Sequence, residues 1–138
     1  MKVGALAKRP AITISAKATI ADAARVMAER RIGFLPVLDN GRLVGVVSER
    51  DLVRAAASGL SPDQPVEAVM TREVITINFN DDVEAAWALM KSKGIRHLVV
   101  LRGDEVYGVV SIRDFLAERI ALERIVERSR AASLDVGR

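Results

Sequence analysis

Two stretches combine the groups that can hold a phosphorylated sugar. They are Gly45-Val46-Val47-Ser48-Glu49-Arg50-Asp51 and Gly108-Val109-Val110-Ser111-Ile112-Arg113-Asp114. Each reads as the junction of a buried strand and a helix, with serine at the helix start. A helix N-terminus offers backbone N–H groups and a positive dipole end, which suits phosphate. The serine hydroxyl adds a donor. An aspartate one turn later has two acceptor oxygens, which match the vicinal hydroxyls of a ribose. Arg50 and Arg113 add a cation, and the glycine leaves room for a ligand to approach the strand. The same residues have a purely structural reading. Serine with aspartate three residues on resembles a capping box, the aspartate complements the helix dipole, and the glycine marks a bulge.

The two stretches belong to a repeat. Ile12-Thr13-Ile14 recurs as Ile75-Thr76-Ile77, and Arg50-Asp51 as Arg113-Asp114, always 63 residues on. Met27/Met90, Ile32/Ile95, Leu35/Leu98 and Val37/Val100 share that offset, with no gap from Val3/Val66 onward. A fixed period of this size means a repeated supersecondary unit, too small to bury a core unaided, so the copies pack together.

Each copy reads as β-α-β-β-α. The first strand is Ile12–Ile14 or Val74–Ile77. A helix follows from Thr19 to Arg30, with Ile20, Ala23, Ala24 and Met27 on one face; Val83, Ala86, Trp87 and Met90 repeat the spacing. Thr19 with Asp22 marks a helix start, and Gly94 a helix end. Phe34–Leu38 and Leu43–Val47 form a hairpin around Asn40-Gly41. His97–Leu101 and Val106–Val110 form the second. A final helix starts at Ser48 or Ser111. Pro65 opens a short helical turn through Met70. The expected divisions are 1–57 and 66–120 for the copies, 58–65 for a linker and 121–138 for a helical tail. Phe115 to Arg130 alternates charge with apolar residues, as a long amphipathic helix does, either capping this chain's core or meeting a partner.

Composition narrows the chemistry. Of 138 residues, 50% are hydrophobic and 4% aromatic, so the core is aliphatic. There is no cysteine, and His97 is the one histidine. Disulfides, thiolate metal sites and paired histidines are excluded. No paired carboxylates, nucleophile–base pair or phosphate loop of the Walker type can be placed, so an enzyme is not expected. The net charge of +3 is divided as +5 over residues 1–62 and −2 beyond, without an arginine cluster that would favour nucleic acid. No apolar run suggests a leader or a membrane span, so a soluble cytoplasmic protein is expected. Trp87 and the methionines read as core or interface residues.

The whole pattern resembles a tandem pair of CBS domains, a Bateman module. Arg31–Asp39, Gly41–Leu52, Val69-Met70-Thr71 and Gly94–Val100 carry the resemblance, which covers about residues 3–120. It implies an α+β fold with two repeats packed by pseudo-twofold symmetry, and a stand-alone regulatory protein that needs no metal to fold. It implies an adenosyl ligand: AMP foremost, otherwise ADP or ATP, with S-adenosylmethionine and NAD in some relatives. It also implies a disc-like homodimer through the helices, with Ala23, Ala24, Ala86 and Trp87 near that face, and a regulated partner protein that the sequence does not name. Two clefts are implied. One takes Thr13, Ile14, Gly33, Phe34, Leu35 and Pro36 with Ser111, Arg113 and Asp114. The other takes Thr76, Ile77, Arg96, His97 and Leu98 with Ser48, Arg50 and Asp51. Aspartate would hold ribose, serine the phosphate, and apolar groups and backbone the adenine. The second copy departs from the family pattern, with Arg96, His97 and Val99 where the first has Gly33, Phe34 and Pro36. The cleft with Arg96, His97 and Arg50 is accordingly expected to be the stronger nucleotide site. The opposing reading is a structural dimerisation module whose two motifs only cap helices.

Overall fold

A computed structural model describes residues 1–119 together with 127, 128, 130 and 131. The elements in order are α1 (Val3–Leu6), β1 (Ile14–Ser15), α2 (Ile20–Arg30), β2 (Phe34–Asp39), β3 (Arg42–Ser48) and α3 (Glu49–Ala57). A 3-10 turn (Val66–Ala68), β4 (Thr76–Asn78), α4 (Val83–Lys93), β5 (His97–Arg102) and β6 (Glu105–Ser111) follow. A last helix, α5, covers 112–119. The remainder of the expected long C-terminal helix falls largely outside the described residues. Among the described residues no helix is long and apolar enough to cross a membrane.

Local chemistry accounts for the element ends. Thr19 and Asp22 form a reciprocal capping box at the start of α2, each side chain accepting the other's backbone N–H at 3.0 Å. Ile20, Ala23 and Met27 then face inward. Gly94 closes α4 at φ 65°. Asn40 and Gly41, at φ 50° and 78°, make the two-residue turn between β2 and β3.

Each copy has a three-stranded sheet. β1 runs parallel to β2 and β2 antiparallel to β3; β4, β5 and β6 repeat the arrangement. The first strand of each copy sits one or two residues later than the apolar pattern suggests. In the second copy Val99 N–H donates to the Ile75 carbonyl, and the ladder includes Thr76 opposite Val99. The equivalent of Val99 is Pro36, which has no N–H to give, so β1 shortens to two residues.

The copies exchange their leading segments. Val3, fully buried, belongs to the core of the second copy beside Ile77, Ala86, Met90, Leu98, Val100 and Val110. Val66, fully buried, belongs to the core of the first beside Ile14, Ala23, Met27, Leu35, Val37 and Val47. Backbone bonds repeat this with matched partners. Val66 N–H donates to Ala18 O at 2.7 Å, and Val3 N–H to Asp81 O at 2.8 Å. Val46 and Thr71 exchange two bonds, at 2.9 and 2.8 Å; Val109 and Lys8 exchange two, at 3.1 and 2.9 Å. Residues 1–8 therefore cover the second sheet, and residues 64–71 the first. Val3 and Val66 are thus parts of the cores, while residues 58–64 of the expected linker are exposed.

Candidate functional site

Both motifs end a strand and begin a helix at the same place. Ser48 N–H donates to Asp51 Oδ2 at 2.9 Å and its hydroxyl donates to the same oxygen at 3.2 Å. Asp51 N–H donates back to Ser48 Oγ at 3.2 Å. In the second copy Ser111 N–H and hydroxyl reach Asp114 Oδ2 at 2.8 and 3.1 Å. The capping box is complete at Ser48 and Asp51, and the aspartate's half of it is formed at Ser111 and Asp114. It occupies one carboxylate oxygen of each aspartate. The other oxygen faces the exchanged segment: Thr71 Oγ1 lies 3.4 Å from Asp51 Oδ1, and Lys8 Nζ lies 3.7 Å from Asp114 Oδ1.

Not every N–H expected to face phosphate is available. Glu49 N–H donates to Gly33 O at 3.0 Å and Ile112 N–H to Arg96 O at 2.9 Å. These bonds tie each helix start to the residue before β2 or β5. The motif glycines also have another occupant than a ligand. A Cβ on Gly108 would lie 2.6 Å from Lys8 O, and one on Gly45 would lie 2.6 Å from Met70 Sδ and 2.9 Å from Thr71 O. What approaches these strands is the backbone of the exchanged segment. Each glycine also adjoins a register shift, so the bulge reading applies as well. At Gly33 a Cβ would meet the Glu49 carboxyl carbon at 2.9 Å. The second copy has Ile112 instead of Glu49 and carries Arg96 at the matching position.

The motifs meet across a seam. Phe34 lies opposite Ser48 in the β2–β3 ladder, and His97 opposite Ser111 in the β5–β6 ladder. The Phe34 and His97 rings stack with centroids 4.6 Å apart and planes within 4°. This contact brings the two motif sets together, each with its own copy's ring. Burial pushes the His97 imidazole below its ordinary pKa. Asp114 and Glu49 oppose that, while Arg113 and Arg96 add to it.

The remaining expected residues divide by exposure. Ile14 and Leu35 are core residues of the first copy, and Ile77 and Leu98 of the second; Pro36 is fully buried. Their side chains are committed to packing, so only their backbone can serve a ligand. Thr13 and Thr76 are half-buried, whereas Arg50, Arg96 and Arg113 are exposed. Lys8 and Thr71 were not expected at the site. They occupy matched positions in the repeat, but the period does not say which sheet each segment covers. Among the described residues no group of His, Asp or Glu is arranged to hold a metal ion.

The CBS domain matches residues 3–58 and again 66–121. The chain belongs to the CBS domain family. Its relatives include the CBS domain-containing protein YhcV of Bacillus subtilis, 32% identical over 112 residues, which cover 80% of each chain. An uncharacterised 17.7 kDa protein of Acidianus ambivalens is 39% identical over 82% of this chain and 70% of that one. Among solved structures, CBS domain protein PAE2072 from Pyrobaculum aerophilum, complexed with AMP, superposes with a TM-score of 0.80 at 37% identity. That match covers 92% of this chain and 99% of the other. The CBS domain pair of protein MJ0100, in complex with 5′-methylthioadenosine and S-adenosyl-L-methionine, gives 0.79 at 27% identity over 90% and 98%. The expected pair of CBS repeats and the α+β architecture are therefore established. A ligand-binding regulatory module is what such pairs represent.

Proposed function

We propose that this CBS pair is a cytoplasmic regulatory module that binds an adenine nucleotide, AMP foremost, and changes the activity of a partner protein without catalysing a reaction itself. One observation carries the reading. Each motif aspartate commits Oδ2 to its helix start and keeps Oδ1 turned toward the exchanged segment at the seam. A ribose diol needs such a fixed acceptor, held by bonds that do not have to form on binding. The complexes of PAE2072 with AMP and of MJ0100 with adenosyl compounds support the ligand class. Asp51 and Asp114 would hold ribose, Ser48 and Ser111 would orient them and face phosphate, and Arg50, Arg96 and Arg113 would meet phosphate charge. Thr13, Gly33, Thr76 and the backbone of Ile14, Leu35, Pro36, Ile77 and Leu98 would bound the adenine, with Phe34 and His97 at the seam.

The output is a population shift: a ligand that prefers one arrangement of the two copies draws the molecule toward it. The assembly proposed is a homodimer through the helical face. Val53 and Leu116, 63 residues apart, are exposed apolar residues at matched positions of α3 and α5, and support that face.

Calorimetric titration with AMP, ADP, ATP, NAD and S-adenosylmethionine tests the reading. Binding by at least one is expected, with Asp51→Ala and Asp114→Ala each removing one site. No heat from any of them at millimolar concentration overturns it. The capping bonds favour a second reading, a dimerisation module without a physiological ligand. On that reading Asp51→Ala lowers stability by about 1 kcal/mol and changes no ligand affinity.

A further inference from the structure

We infer that Lys8, seated beside Asp114 by segment exchange, makes the Asp114 cleft the one that selects phosphorylated nucleosides. Asp51, paired with Thr71 instead, anchors the cleft with the weaker phosphate preference, the reverse of the sequence expectation that ranked the cleft with Arg50, Arg96 and His97 first. The inference rests on the nucleotide-binding reading above and adds a residue and a division of labour to it.

The two aspartates have the same surroundings in backbone and different surroundings in charge. Lys8 and Thr71 are pinned identically, each by two backbone bonds to the strand before the motif. Their Cα positions are therefore fixed, and the side chains differ. Lys8 presents an ammonium, Thr71 a hydroxyl. A second difference acts in the same direction, because Glu49 in the first motif is replaced by Ile112 in the second. Counting these positions with each arginine and aspartate, the first set carries −1 and the second +1.

The lysine is poised rather than consumed. Its ammonium is 3.7 Å from Asp114 Oδ1, outside hydrogen-bond range, with its side chain 76% exposed and that of Asp114 11% exposed. An ion pair with one partner so exposed holds weakly. A ribose diol donating to Asp114 Oδ1 can displace it at little cost. The freed ammonium then stays at the cleft, held there by its backbone. Its flexible four-carbon stem lets it follow a phosphate on the sugar. At Asp51 a phosphate meets Glu49 and a carboxylate that no lysine neutralises.

The test compares adenosine with AMP, which differ by the phosphate, by calorimetry. With Asp51→Ala in place only the Asp114 cleft remains, and AMP is expected to bind about tenfold more tightly than adenosine. Adding Lys8→Thr, which installs the other copy's residue, should remove that preference while adenosine affinity stays within about twofold. Lys8→Met should do the same. With Asp114→Ala, AMP should gain less than about threefold over adenosine, and adding Thr71→Lys should raise that preference. Lys8→Thr that weakens adenosine and AMP equally, or neither, overturns the inference and leaves nucleotide binding standing. An intact chain that binds no adenosyl compound overturns both.

Discussion

The first long helices of the two copies begin at matched positions and are held by different atoms. In α2, Thr19 and Asp22 close a capping box within one turn. In α4 the matching residue is Asp82, which makes no side-chain capping bond and instead reaches Lys2 Nζ at 3.0 Å, from the exchanged N-terminal segment. One copy stabilises its helix start locally. The other borrows from a segment 80 residues away. The same contrast recurs at the motifs, where Asp51 meets an uncharged threonine and Asp114 a lysine. Duplication preserved the backbone arrangement while the charges around it diverged.

The largest expected effects come from the glycines that admit the exchanged segments. Gly45→Ala and Gly108→Ala should each cost about 1–3 kcal/mol by overpacking, read from denaturant midpoints. They should differ in size. Gly108→Ala meets the Lys8 carbonyl at 2.6 Å, a backbone atom that two hydrogen bonds hold in place. Gly45→Ala first meets the Met70 thioether, which can swing aside, and then the Thr71 carbonyl at 2.9 Å. Equal losses in both would break the comparison.

Val3→Ala and Val66→Ala come next. Each side chain is fully buried, in the other copy's core, and loses two methyl groups; about 2 kcal/mol is expected for each. A neutral Val3→Ala would show that the N-terminal segment adds nothing to the second core.

Thr19→Ala should cost about 1 kcal/mol through the lost cap. Lys2→Ala should leave the melting temperature unchanged, because its pair with Asp82 is exposed on both sides. A larger loss from Lys2→Ala would mean that the borrowed contact does more than the local box.

The smallest effect concerns His97. Its pKa is held below the ordinary value by burial, so the folded chain resists a proton that the unfolded chain accepts. This contribution to stability is full above about pH 6.5 and is lost as pH falls from there toward the lower folded pKa. His97→Phe, which copies the ring of the first repeat, should remove that part of the acid sensitivity. The difference should be at most about 1.4 kcal/mol between pH 7.5 and 5.5. Parallel stability–pH curves for the two proteins would refute the assignment.

Features that depend on neighbours in sequence were legible. The Thr19–Asp22 box, the Asn40-Gly41 turn, the Gly94 cap and both Ser-x-x-Asp junctions need only residues three or four apart. The 63-residue period likewise exposed the paired architecture. The exchange was hidden by that very period. Val3 and Val66 occupy equivalent positions, so either fits either core, and an offset is unchanged when the two are swapped. Lys8 and Thr71 were missed at the site for the same reason. The short β1 was hidden differently: Pro36 is visible, but its effect depends on knowing that Thr13 would be its partner. Ile14, Leu35, Ile77 and Leu98 show the converse limit. Their place near the clefts is a matter of backbone, while their side chains are spent on the core.

The exchanged segments also give the molecule a direction in time. As the chain emerges from the ribosome, the first copy is complete once residue 71 has appeared, because its covering segment follows it closely. Residues 1–8 precede the first copy, yet Lys8 bonds to Val109, 101 positions later. That segment has no sheet to dock on until the second copy has been made. A chain cut short before Val109 leaves Val3 without its core, so the contact of longest reach ties the earlier part of the chain to the completion of the later.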